Sequence, residues 1–167
     1  QRVPVSRVDV REVQRTVLDA GGYIVPLLDV EKDSPLFKPY QRIASTGILR
    51  AEGRNVGWSN QTWLRADTLL YHHELDGFKE FYPETRRFKG RGEVTVAQAS
   101  EMILAIAADQ GLPYTYNNIE NDWREVSHDE MKLESAITRG MFAILVDSLL
   151  HPFDRRVDIN GEFLKNK

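Results

Sequence analysis

The stretch Thr95-Val96-Ala97-Gln98-Ala99-Ser100-Glu101-Met102-Ile103-Leu104-Ala105-Ile106-Ala107, running on to Gly111-Leu112-Pro113, decides the fold class. Thr95 is a helix-capping residue, and Gln98 stands three positions later, where each side chain can satisfy a free backbone N–H of the other. Ala99, Met102, Ile103, Ile106 and Ala107 then fall three and four residues apart and share one helical face. Gly111 and Pro113 stop the run. Such a stripe must be buried against other elements, so the rest of the chain has to supply its cover.

The same pattern recurs on both sides. Downstream, a shorter helix is expected between Asn121 and Lys132, and Thr138 caps a last apolar helix through Met141, Phe142, Leu145, Val146 and Leu149, stopped before Pro152. Upstream, Val10, Val13, Val17 and Leu18 have helical spacing over Val8 to Ala20, with Asp9 and Glu12 as a capping-box pair and Gly21-Gly22 as the stop. Ser34-Pro35 opens a second helix through Leu36, Phe37, Tyr40, Ile43 and Ala44, closed by Gly47. A third runs from Asp67, read as its cap, through Leu70, Glu74, Leu75 and Phe78.

Two segments break the helical rhythm. From Ile48 to Trp63 the chain is dense in Gly, Asn and Ser, which predicts an ordered loop with at most short strand pairs, pinned to the core by Trp58 and Trp63. Residues 83–92, polar and glycine-containing, form the best internal linker. The expected fold class is therefore all-α, a small helical bundle.

Composition removes several function classes. The 167 residues carry 22 Lys+Arg against 25 Asp+Glu, a net charge of −3 with no basic surplus for phosphates, so no nucleic acid is expected as partner. No apolar run reaches the roughly 18 residues of a membrane span. Zero Cys excludes disulfides, thiolate catalysis and Cys-based zinc sites. The opening Gln1-Arg2-Val3-Pro4 has neither a starting Met nor an apolar signal region, which reads as a piece of a longer chain.

Candidate chemistry is sparse. The glycines at 47, 53 and 57, or at 90 and 92, lack the strand-before, helix-after context of a phosphate loop and read as turn residues. His72-His73-Glu74 puts neighbouring side chains about 100° apart on a helix, unlike the i, i+4 spacing of a metal pair, and His128-Asp129-Glu130 shares the defect. His151 falls at a helix end, where a cation complements the dipole. The acids, among them Asp29, Glu31, Asp33, Asp109, Glu120, Asp122, Glu125, Asp129 and Glu130, are scattered and read as solvated faces or caps. No nucleophile elbow and no His-Glu-x-x-His motif occurs. Trp58, Trp63, Tyr71, Tyr114, Tyr116 and Trp123 could stack on sugar faces or anchor an interface, while core packing of glycine-rich turns is the plainer account.

The run Leu28-Asp29-Val30-Glu31-Lys32-Asp33-Ser34-Pro35-Leu36-Phe37-Lys38-Pro39-Tyr40, then Ile43-Ala44-Ser45-Thr46-Gly47-Ile48-Leu49, resembles an S-layer-homology repeat: an Asp-Val lead, a helix and a Gly-Ile turn. The likeness continues through Gly53, Trp63, Ala66-Asp67 and Glu74-Leu75, where the family's Thr-Arg-Ala-Glu helix start stands as Tyr71-His72-His73-Glu74. Two later helix starts are similar to the same element. Glu93-Val94-Thr95-Val96-Ala97-Gln98 lacks its Arg and Glu, and Ala136-Ile137-Thr138-Arg139-Gly140-Met141 keeps Thr138 and Arg139 with Met141 in place of Glu. The resemblance covers most of residues 28–150, and in the family these positions help bind cell-wall glycan.

The opening Val5-Ser6-Arg7-Val8-Asp9-Val10-Arg11-Glu12-Val13-Gln14 and the ending Leu149-Leu150-His151-Pro152-Phe153-Asp154, then Val157-Asp158-Ile159-Asn160-Gly161, are similar to the C-terminal region of FAD-dependent oxidoreductases of Bacteroides-type bacteria, some labelled xanthan lyase. That likeness implies a flavin-binding catalytic part upstream, with FAD in the parent chain and no cofactor, metal or catalytic residue in this stretch. It also implies export to the periplasm or cell surface.

The expectation is two S-layer-homology-like helix-loop-helix units, residues 28–82 and 93–152. They are joined by the linker 83–92, preceded by a helix and lead-in at 1–27 and followed by a tail at 153–167. The resemblance implies a non-catalytic interaction or support module whose partner is the catalytic domain of its parent, with Trp58, Trp63, Tyr71, Thr138 and Arg139 as contact residues. The alternative is a module that binds polysaccharide or cell-surface glycan, and the rival outside both is an independent enzyme with a deep pocket of convergent ionisable groups.

Overall fold

The helix that decided the class is present in the computed structural model, which describes residues 8–56 and 59–165. Among the described residues it is one of six α-helices, α1 (Val10–Asp19), α2 (Phe37–Thr46), α3 (Asp76–Phe81), α4 (Val96–Asp109), α5 (Tyr116–Val126) and α6 (Arg139–Leu150), joined by one hairpin, β1 (Glu52–Val56) with β2 (Ser59–Trp63). At the start of α4 the Gln98 N–H donates to Thr95 Oγ1 at 3.1 Å and the Thr95 N–H to Gln98 Oε1 at 3.0 Å. The fold is mostly helical with one small antiparallel sheet, whose register runs from Glu52 opposite Trp63 to Val56 opposite Ser59.

Three short extended stretches meet at the centre. The Leu70 N–H donates to the Ile137 carbonyl at 2.9 Å, the Ile137 N–H to the Val94 carbonyl at 2.9 Å, and the Val94 N–H to the Leu70 carbonyl at 2.8 Å, which closes a ring. All three residues are fully buried. A buried backbone polar group without a partner is costly, and the ring satisfies one donor and one acceptor from each strand without building a sheet. A helical start follows each ring residue within a few positions. The 3₁₀ turn His72–Leu75 runs into α3, and α4 and α6 open at Val96 and Arg139.

The core forms around α6, ten of whose twelve residues are buried, as befits a helix apolar nearly all round. Phe142 meets Phe78 of α3 edge to face at 5.1 Å, and Ile43, Ile48, Leu49, Met102, Ile103 and Ile106 complete the packing. Gly77 lets α3 approach the end of α2 so closely that a Cβ there would lie 2.0 Å from the Gly47 carbonyl oxygen.

Several expectations are corrected. Asp67 caps nothing: the third helical segment begins at His72, where the Glu74 carboxylate accepts from the Tyr71 N–H at 2.9 Å, because residues 69–71 are drawn into the ring. α5 opens at Tyr116 rather than Asn121, since Asn118 folds back to accept from the Thr115 N–H at 2.9 Å. On α1, Asp9 accepts from the Arg11 N–H rather than forming a box with Glu12. Val13 and Val17 of that helix are 56% and 38% exposed, because Leu18 and the stem of Arg11, whose guanidinium lies 5.2 Å from the Phe153 ring centre, form the packed side. Residues 83–87, expected as linker, form a 3₁₀ helix with Thr85 buried. The tail from 153 buries Phe153 and Val157, and the Val157 carbonyl accepts from the Val10 N–H at 2.9 Å.

Candidate functional site

Tyr71, Thr138 and Arg139, singled out in the sequence, lie beside the ring, with unequal access to solvent. Thr138 is half-buried, and its hydroxyl accepts from the Met141 N–H at 3.1 Å as the cap of α6. Arg139 is 5% exposed, which corrects its expected place on a contact surface. Its Nε donates to the Leu64 carbonyl at 2.9 Å and its Nη2 to the Arg50 carbonyl at 2.8 Å, while Nη1 donates to Glu74. One planar guanidinium thus binds both flanks of the hairpin and the turn before α3 to the start of α6, a use of its rigid fork that an ammonium could not reproduce.

Tyr71 is 38% exposed and its ring centre lies 5.7 Å from that of His73. Trp63 is half-buried at the end of β2, with the Arg65 guanidinium 5.9 Å from its ring centre. Trp58 lies outside the described residues. Backbone bridges set Tyr71 against Glu93 and Leu69 against Thr138, so Tyr71 and Thr138 border the same ring.

Asp29, one of the scattered acids expected mostly as solvated faces or caps, is a clamp. Its Oδ1 accepts from the Leu64 N–H at 2.8 Å and its Oδ2 from the Arg65 N–H at 2.7 Å, where Arg65 turns the chain out of β2 with φ +56°. The Asp-Val lead was the only sequence signal, since the partners lie 35 and 36 positions away.

A charged cleft of about 460 Å³ lies between α1, α2 and α6. At its floor Arg42 grips Asp147 with two parallel bonds, Nε to Oδ1 at 2.9 Å and Nη2 to Oδ2 at 2.6 Å, and the bond to Asp147 raises the guanidinium pKa. Arg15 pairs with Asp154 at 3.2 Å and Lys38 with Asp19 at 3.7 Å at its edges. Each of these cations has an acid beside it, and the pairs tie helices together across the cleft. His151 also lines it, in the left-handed conformation that ends α6.

Burial shifts three further groups. It lowers the pKa of Arg11, and it raises Tyr82 and Tyr40, Tyr40 to about 12 with help from Asp67 and Asp29. Among the described residues no three His, Asp or Glu side chains are grouped to hold a metal, and no helix is long and apolar enough to cross a membrane.

The class these features define is a mostly helical module with one hairpin, organised on a three-way backbone ring. Compared with protein-family models, with curated proteins and with solved structures, the chain has no match.

Proposed function

We propose that this chain is a non-catalytic interaction or support module of a larger exported protein of the FAD-dependent oxidoreductase, xanthan lyase-like kind, and that its helix-loop-helix units are S-layer-homology-like. The observation that carries the reading is the ring. The three helix starts whose sequences resemble one family element, at Tyr71–Glu74, Glu93–Gln98 and Ala136–Met141, are the three that Leu70, Val94 and Ile137 join. Packing of the two units against each other is what a repeat-built domain requires, since a single unit cannot bury its own apolar face. The partner is the catalytic domain of the parent, FAD belongs to that domain, and the location is the periplasm or cell surface.

The burial of Arg139 supports a structural role for the residue that the family's glycan chemistry would otherwise claim. A second reading, a polysaccharide-binding module, draws support from the exposed Tyr71–His73 pair. Inspection of the reading frame upstream of Gln1 tests the first: a strand–glycine–helix dinucleotide unit is expected, and a frame without any flavin-binding unit overturns it. Bound flavin in the purified chain would overturn the non-catalytic reading. Saturable binding of xanthan or cell-wall polysaccharide would move the conclusion to the second reading.

A further inference from the structure

The segment 83–92 carries Arg86, Arg87, Lys89 and Arg91, all exposed, in a chain whose net charge is negative. Among the described residues none of the four is within ion-pair distance of an acid, unlike the cations of the α1–α2–α6 cleft. The segment is held at both ends. Thr85 is buried with its hydroxyl donating to the Tyr82 carbonyl at 2.7 Å, Lys79 Nζ donates to the Phe88 carbonyl at 2.7 Å, and the Gly92 carbonyl accepts from the His72 N–H at 2.9 Å. Phe88 packs on the core, and Gly90 lies so close to the His72 ring that a Cβ would fall 2.3 Å from it. Cations on a fixed backbone lose less freedom on binding than cations on a loose loop.

We propose that Arg86, Arg87, Lys89 and Arg91 form the docking surface for an acidic protein epitope, which, resting on the proposed function, is a carboxylate cluster on the neighbouring domain of the parent. Three of the four cations are arginines, whose planar forks match carboxylates. Exposed Glu93 and half-buried Glu84 bracket the arc in sequence. A continuous polyanion would have to run past those acids and be repelled, whereas a discrete cluster of carboxylates fits between them.

The test is amide chemical-shift mapping of the purified ¹⁵N-labelled chain with a short neutral peptide scaffold carrying a single cluster of four glutamates. Polygalacturonate and a short DNA duplex at matched charge serve as competing probes. The expected result is shifts centred on residues 84–93, binding lost at about 0.5 M salt where screening reaches a few ångströms, and binding weakened at least about tenfold by Arg87→Glu with Arg91→Glu but not by Arg54→Glu on the hairpin. Should the double reversal fail to fold, Arg87→Gln with Arg91→Gln replaces it. Shifts scattered over the surface, equal loss with Arg54→Glu, or tighter binding of polygalacturonate or DNA at the arc would each overturn the proposal. An upstream frame without a flavin unit would end the functional reading and leave this titration untouched, so the two failures are distinguishable.

Discussion

Arg139 at the start of α6 and Glu74 in the turn before α3 form an ion pair across 65 positions of sequence, with the arginine side chain 6% exposed and the glutamate 24%. Its neighbours make it a junction, because the same guanidinium holds the Leu64 and Arg50 carbonyls and the same carboxylate holds the Tyr71 N–H. Arg139→Ala takes the counter-charge from a partly buried carboxylate, leaves its Oε2 and two carbonyls without their donors, and is expected to cost about 3–5 kcal/mol. Arg139→Lys should recover only part of that, because one ammonium cannot reach three diverging acceptors. Urea unfolding of the two variants checks the order, and equal stability of Arg139→Ala and the parent would refute the junction.

Gly77→Ala is expected to destabilise by about 1–3 kcal/mol or more, since its Cβ would meet a backbone oxygen of Gly47 at 2.0 Å and backbone can yield only by moving α3 from α2. Helix propensity alone predicts the opposite sign, because alanine is the better helix former. Thermal melting of this one variant therefore separates packing from propensity.

Arg42 and Asp147 join α2 to α6 by two parallel bonds. A double-mutant cycle on Arg42→Ala and Asp147→Ala is expected to return a coupling energy of about 0.5–3 kcal/mol. Additive losses would show that the pair sits in the cleft without bracing it.

Burial and the charges of Asp67 and Asp29 raise Tyr40 to about 12, so the fold favours the neutral phenol. The sign follows: this part of the stability is complete below the unfolded value near 10 and disappears as pH rises through the folded value. Burial also raises Tyr82, which acts in the same direction. Tyr40→Phe should lose less stability than the parent between about pH 9 and about pH 11. Parallel urea midpoints at both pH values check it, and identical slopes would refute the assignment.

The sequence by itself determined the elements whose signals are local. Thr95 with Gln98, Thr138 before its apolar run and Gly47 after α2 each act within a few residues, and these boundaries stand in the structure within about three residues of where they were read. It also marked a helical segment through Glu74 and Leu75 and helix starts at Thr95 and Thr138. Only the tertiary structure decided what those starts do, because the ring bonds among Leu70, Val94 and Ile137 join residues 24 to 67 positions apart, and no periodicity encodes a partner at that distance. For the same reason the burial of Arg139, the clamp of Asp29 on Leu64 and Arg65 and the short helix at 83–87 are properties of the folded chain alone. A charged side chain looks alike in sequence whether it faces water or a buried carbonyl. Its role is set by acceptors that only the folded chain brings within hydrogen-bonding reach.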